Sequence, residues 1–276
     1  IEQNIVDLQR SLEAFAVEGA NITKDGQLQS AILANTETLP LVEMAAGKKP
    51  AGVSVEIPWT ALPEEQLQVF IGFAGDGSPL FDLFNEIPQV TADAMEMALV
   101  SGISLGEGPR TVARRVMRAA DIGRSRAETI ARTEMIRSAR EAQRMLYQQN
   151  PAVTGYTRQA AQDARVCPAC LALSGTEHLT SEIMPSHPNC RCVMVPTTMS
   201  WAEITGDSSI EDTRVTGADS ETLIAGLAPR DLMTILGPGR YALYLEGTPL
   251  SEMVEVVQNP DWGPTTRVRP LRDLIR

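Results

Sequence analysis

Ile1, Ile5, Leu8, Leu12 and Phe15 recur at alternating intervals of four and three. That spacing predicts one apolar helical stripe over residues 1–18. Asn21 to Gly26 reads as a turn. A second helix is expected from Gln27 to about Ala46, where Lys48-Lys49-Pro50-Ala51-Gly52 breaks the pattern. Val53 to Trp59 reads as extended chain or loop. Pro63-Glu64-Glu65 has the makings of a helix first turn, because proline is tolerated there and acids favour the dipole. That helix is expected to stop at Gly75-Asp76-Gly77-Ser78-Pro79.

From Val90 the pattern is strongly helical. Thr91-Ala92-Asp93 opens a helix to about Val100, Gly102 to Pro109 connects, and a helix covers Arg110 to Ala120. Ser125 and Glu128 stand at capping-box spacing and predict the start of the longest helix, ending at Asn150-Pro151. Ala127, Ile130, Ala131, Met135, Ala139, Ala142 and Leu146 form its expected buried stripe. Beyond Pro151 the texture turns β-like, at Val153–Arg158 and again at Val193–Val195, the second run ended by Pro196. Helix-like segments follow at 220–227, 229–236 and 249–257. The last residues, 261–276, are expected to wrap a partner or another segment.

These elements predict an α+β protein. It has a mainly helical N-terminal half, a long helix leading into a small Cys/His-clustered β-loop unit, and a helical C-terminal tail. The expected divisions are 1–88, 89–198 and 199–276. A length of 276 residues supports about two domains. Aromatics are only 4%, so the core falls to Leu, Ile, Val, Ala and Met. No apolar run approaches the roughly 18 residues that span a bilayer, so no membrane partner is expected. The chain opens on Ile1 with no basic-then-apolar secretory signal, so a trimmed or internal start is expected.

Charge changes the picture. The net charge of −11 excludes bulk attraction to nucleic acid. Residues 110–144, however, hold ten arginines against four acids, between flanks of −12 and −5. Arg110, Arg114, Arg115 and Arg118 are spaced to share a helix face. They read either as a solvated face or as a contact for phosphate or an acidic protein partner.

All four cysteines lie between positions 167 and 192. Cys167-Pro-Ala-Cys170 is followed, after sixteen intervening residues, by His187-Pro-Asn-Cys190-Arg-Cys192. Two knuckles of this kind supply the four soft or borderline donors of a tetrahedral zinc site. Five candidates compete for four positions, so Cys₃His and Cys₄ sets are both open. Disulfides and reduced structural thiols are the alternatives. A zinc ion enclosed by four protein donors would be structural rather than catalytic. Asp163 and Arg165 are expected to fix the loop before Cys167 by an ion pair or backbone hydrogen bonds. His187-Pro188-Asn189 superficially resembles a metal-nuclease motif, but the chain has only two histidines.

Ile130-Ala131-Arg132-Thr133-Glu134 on the long helix, Asp163-Ala164-Arg165-Val166-Cys167-Pro168-Ala169-Cys170 with Gly175, and Pro185-Ser186-His187-Pro188-Asn189-Cys190-Arg191-Cys192 with Pro196 occur together and in order. The set resembles the bacteriophage Mu F-like head morphogenesis (minor head) proteins, over roughly residues 90–198. Leu236-Gly237-Pro238-Gly239-Arg240-Tyr241, with Gly247 and Leu250, resembles a tail of the same family. One departure is Arg158-Gln159-Ala160-Ala161, where the family would lead one to expect an aromatic. The resemblance implies a non-enzymatic minor head protein of a tailed phage. Such a protein associates with the portal and other capsid or scaffold proteins, and helps capsid assembly, DNA packaging or DNA ejection. It would reside in the virion head near the portal, and in the host cytoplasm during assembly, with packaged DNA as a further contact. The competing reading is a zinc-dependent nucleic-acid-binding or nuclease-like protein.

Overall fold

The structure, a computed structural model, describes residues 2–57, 60–75, 77–105, 107, 109–260 and 262–275. Ile1, Pro58, Trp59, Asp76, Gly106, Gly108, Asp261 and Arg276 lie outside it, as do the side chains of Ile5 and Leu8, so most of the first predicted stripe is not described. The architecture is α+β. The elements are α1 (Glu2–Ala45), α2 (Glu64–Leu67), α3 (Leu80–Ser104), α4 (Pro109–Gln149), β1 (Val153–Gln159), α5 (Pro168–Ala172), β2 (Glu177–Leu179), β3 (Val193–Thr198), α6 (Trp201–Thr205), α7 (Ser220–Ala225), α8 (Pro229–Leu245), β4 (Val254–Asn259), β5 (Gly263–Val268) and α9 (Leu271–Leu274). Short 3₁₀ turns cover Gln68–Phe70 and Leu250–Met253. The chain forms two compact units, residues 1–30 with 69–138 and residues 31–68 with 139–276.

Several sequence expectations are corrected in the first unit. The turn expected at Asn21–Gly26 is helix, within α1. Gly26 lies against Met135, where a Cβ would sit 2.9 Å from Sδ, so this glycine serves a close approach rather than a bend. Gln27 next to it is fully buried and is held in the helix by its contacts. Its Oε1 accepts from Gly72 N at 2.8 Å and its Nε2 donates to Phe73 O at 3.0 Å. The buried line of α1 here is Ala16, Ala20, Thr23 and Gln27, small and polar residues, while Phe15 is 40% exposed. A close approach also makes Gly19 necessary, since a Cβ there would lie 2.7 Å from the Phe84 ring.

α3 begins at Leu80, well before Thr91, and continues through Pro88. Leu80, Leu83, Phe84 and Ile87 are buried on it, each stabilising the unit by about 1.5–3 kcal/mol relative to exposure. The break expected near residue 124 is also absent. α4 is one helix of 41 residues. Gly123 lies where a Cβ would collide with Thr91 Oγ1 and come within 3.1 Å of Ile87 Cγ2. Arg126 reaches Glu86 at 2.6 Å beside it. The signals read as helix ends are therefore points where α3 and α4 approach closely.

In the second unit, Pro63 precedes the first turn of α2 as the sequence suggested, although the helix is only four residues long. Asn35 clamps the preceding loop, donating to Leu62 O and accepting from Leu62 N, both at 2.9 Å. β1 is the centre of a three-stranded antiparallel sheet of order β2-β1-β3. β3 continues through Pro196, which pairs with Tyr156, rather than stopping before it. An edge strand tolerates the missing donor. The tail is helical only in part. Val254–Asn259 and Gly263–Val268 pair as the β4–β5 hairpin, where the sequence suggested helix and wrapping chain. That hairpin and the 3₁₀ turn before it pack on α5, and Ser186 N donates to Pro264 O at 3.3 Å. In α8, Gly237 takes φ +74°, which breaks the helical path, and Gly239 faces Leu271.

Candidate metal centre

The cluster sits beside the sheet, and each donor has a local reason for its position. Cys167 is the N-cap of α5, with Pro168 at the first helical position. Its Sγ accepts from Cys170 N at 3.2 Å, so the Cys-x-x-Cys turn aims both sulfurs the same way. The second knuckle turns at Asn189, whose φ of +60° lies in the left-handed region, and is closed by Cys190 N donating to His187 O at 3.0 Å. Asparagine is among the few non-glycine residues that accept this conformation readily. His187 Nδ1 lies 2.8 Å from Pro188 O, which turns Nε2 toward sulfur.

The structure brings all five sequence candidates together. His187 Nε2 is 3.1 Å from both Cys167 Sγ and Cys170 Sγ, and the Cys170 and Cys190 sulfurs are 3.6 Å apart. Cys167, Cys170 and His187 form one triad able to hold a metal ion, and Cys170, Cys190 and Cys192 form another, with Cys170 common to both. All four cysteines are free thiols, and 3.6 Å is far outside the bonded disulfide distance of about 2.05 Å. Cys170, Cys190 and Cys192 are buried and Cys167 is partly exposed. A cavity of about 40 Å³ borders the cluster, with Arg165 and Arg191 among its lining residues.

The thiols share protons unequally. Hydrogen bonding from Cys170, then from His187, holds Cys167 at about 4. Cys170 is pushed far up by its hydrogen bonds to Cys167 and Cys190, and Cys190 is held far down by those from Cys170 and Cys192. His187 is pushed up to about 10 by Cys167 and Cys190. Part of the sulfur is thus held as thiolate beside a protonated His187, which would give up its proton on binding a metal.

Three residues around the cluster were not identified from sequence. Arg158, on β1, is 1% exposed. It donates to Pro185 O at 2.7 Å and its Nη2 lies 3.4 Å from Cys170 Sγ and 3.8 Å from Cys190 Sγ. Burial alone would weaken this cation, but Cys192, Cys170 and Cys190 more than offset it and keep it protonated. Arg140, on α4, donates to Cys190 O at 2.8 Å and to Cys192 O at 2.7 Å. Arg191 grips Asp163 with two bonds, at 2.7 and 2.8 Å. Asp163 also accepts from Arg165 N at 2.9 Å, as expected of that pair, and its carboxyl is held well below the usual range, chiefly by Arg191. The signal that could have singled out Arg158 was its alternation. It shares a strand face with Tyr156, which is fully buried.

The arginine band divides by use. Arg110, Arg114 and Arg118 are exposed at intervals of four, whereas Arg115 leaves that row and pairs with Glu107 at 2.6 Å. These four belong to the first unit and the cluster to the second. Further along α4, Glu134 of the Ala-Arg-Thr-Glu run is fully buried and takes Arg137 Nε at 2.6 Å. Among the described residues, no helix is long and apolar enough to cross a membrane.

Comparison with curated proteins and with solved structures gives no match. Residues 93–195, from α3 through α4 and β1 into β3, match the family described as Phage Mu protein F like protein, so the similarity covers this central region of the chain.

Proposed function

We propose that the protein is a structural minor head protein of a tailed phage, with no catalytic turnover. It associates with the portal and neighbouring head proteins and serves capsid assembly, DNA packaging or ejection. The match over residues 93–195 carries this reading, because it supports a head morphogenesis role and covers both α4 and the cysteine-histidine unit. Zinc, held on four of the five donors, gives that unit its rigidity. The 40 Å³ cavity at the cluster supports a structural ion, since substrate pockets are typically about 300–1,000 Å³. The exposed Arg110, Arg114 and Arg118 row is the contact for a partner protein or DNA.

Co-expression with the portal protein tests the assignment. The chain is expected to sediment with portal rings and to be present in purified heads. A chain that stays free of heads and portal, and that cleaves nucleic acid only when His187 is intact, would establish the nuclease-like reading instead. Contact with DNA through the arginine row would show as binding that weakens steeply with salt, because phosphate contacts release counterions.

A further inference from the structure

A buried guanidinium is costly unless a negative charge faces it. Among the described residues no carboxylate pairs with Arg158, and the groups facing it are thiols, the sulfurs of Cys170 and Cys190 at 3.4 and 3.8 Å from its Nη2 and, beside them, Cys192. Arg140 is differently placed. It spends its donors on the backbone carbonyls of Cys190 and Cys192 and is only half-buried.

We propose that Arg158 is the built-in counter-charge of a Cys₃His zinc centre formed by Cys167, Cys170, His187 and Cys190, with Cys192 left outside the coordination sphere. This rests on the reading that the cluster binds zinc. Three thiolates and a neutral imidazole leave a divalent ion with one negative charge in excess. Arg158 supplies one positive charge inside the same core, so the assembled centre is neutral. Four thiolates would leave a further negative charge that Arg158 alone does not balance. The spacing agrees. Zinc–sulfur bonds of about 2.3 Å at tetrahedral angles put sulfurs about 3.8 Å apart, close to the 3.6 Å between Cys170 and Cys190. His187 and Cys190 close a knuckle with the same two-residue gap as Cys167 and Cys170. Arg158 is a positioning residue here. It acts on the ion through the sulfurs.

The test uses the full chain, titrated with zinc against a competing chelator and with cobalt(II) as a spectroscopic probe. Wild type should bind one ion and show a tetrahedral cobalt spectrum with charge-transfer intensity for three thiolates. Arg158→Gln should weaken affinity about 10–100-fold, the usual effect of removing a partner of a ligand. Arg158→Lys should recover part of it, keeping the charge and losing the fork. Cys192→Ser should leave affinity and spectrum unchanged, whereas Cys190→Ser should lose one thiolate band. Circular dichroism at the same concentration separates a binding loss from unfolding. Unchanged affinity in a folded Arg158→Gln overturns the charge role; where that variant does not fold, Arg158→Lys, which keeps the charge, decides the matter, and a loss of about 10–100-fold in it overturns the role. A four-thiolate spectrum, lost in Cys192→Ser, overturns the ligand set. Absence of metal binding by wild type overturns the zinc reading itself, a distinct outcome.

Discussion

Glu134 and Glu128 stand six residues apart on α4 and meet arginines in unlike surroundings. Glu134 is fully buried and takes Arg137 Nε at 2.6 Å, while Glu128 is exposed and reaches Arg132 at 3.3 Å. Breaking a fully buried pair costs about 3–5 kcal/mol and exposed pairs contribute about 0–1 kcal/mol, and Glu134–Arg137, with the glutamate buried and the arginine 25% exposed, falls between. Glu134→Gln is therefore expected to lower stability by about 2–3 kcal/mol, less than a full truncation because the amide still accepts. Glu128→Gln should stay within about 0.5 kcal/mol. Urea denaturation of both variants measures the difference. Residue chemistry of this kind was only half legible in the sequence. The thiol and imidazole donors were evident from spacing, because a zinc-type knuckle requires those atoms a fixed distance apart along the chain. Arg158 and the buried role of Glu134 were not. Charged side chains are usually at the surface, and the buried exceptions are set by contacts from distant segments.

At the scale of elements, the long helices before Pro151 existed where the apolar spacing placed them and their ends did not, whereas the helix expected at 249–257 is a 3₁₀ turn and a strand. Gly26, Gly123 and Ser125 carry the local marks of turns and caps, yet each lies within a helix. Tertiary closeness decides the matter, as it commonly does over propensity. Gly123 offers a direct check. Alanine in a helix interior is favoured over glycine by about 1 kcal/mol, but here its methyl would strike Thr91 Oγ1. Overpacking costs about 1–3 kcal/mol. Gly123→Ala should thus melt lower than wild type, and adding Thr91→Ala, which removes the obstructing oxygen, should restore or exceed the original melting temperature. A single variant more stable than wild type would show that α3 and α4 have room to part. The β4–β5 hairpin was missed for a different reason. Val254, Val256 and Val257 suit helix or strand, and short apolar runs cannot be told apart by period alone.

For the whole molecule, the two units and the zinc proposed above give a prediction about where chelation is felt. Chelation should raise hydrogen exchange across β1, the cysteine knuckles and β3, and equally across residues 250–268, while residues 69–138 keep their protection. The second region is included because the 3₁₀ turn and the hairpin pack on α5. Uniform deprotection of the chain would contradict it. Unit membership was not legible beforehand, because α1 and α4 each supply residues to both units and no linker composition marks the division.

α5 has only five residues, too few to persist as a helix by itself. It nevertheless presents Cys170 to the cluster on one side and seats the hairpin on the other. Its order is borrowed from both neighbours, so sulfur chemistry near position 170 and strand pairing near position 260 form one cooperative unit. Shortening the chain at its far end would then unsettle the thiols, although the deleted residues include none of the donors.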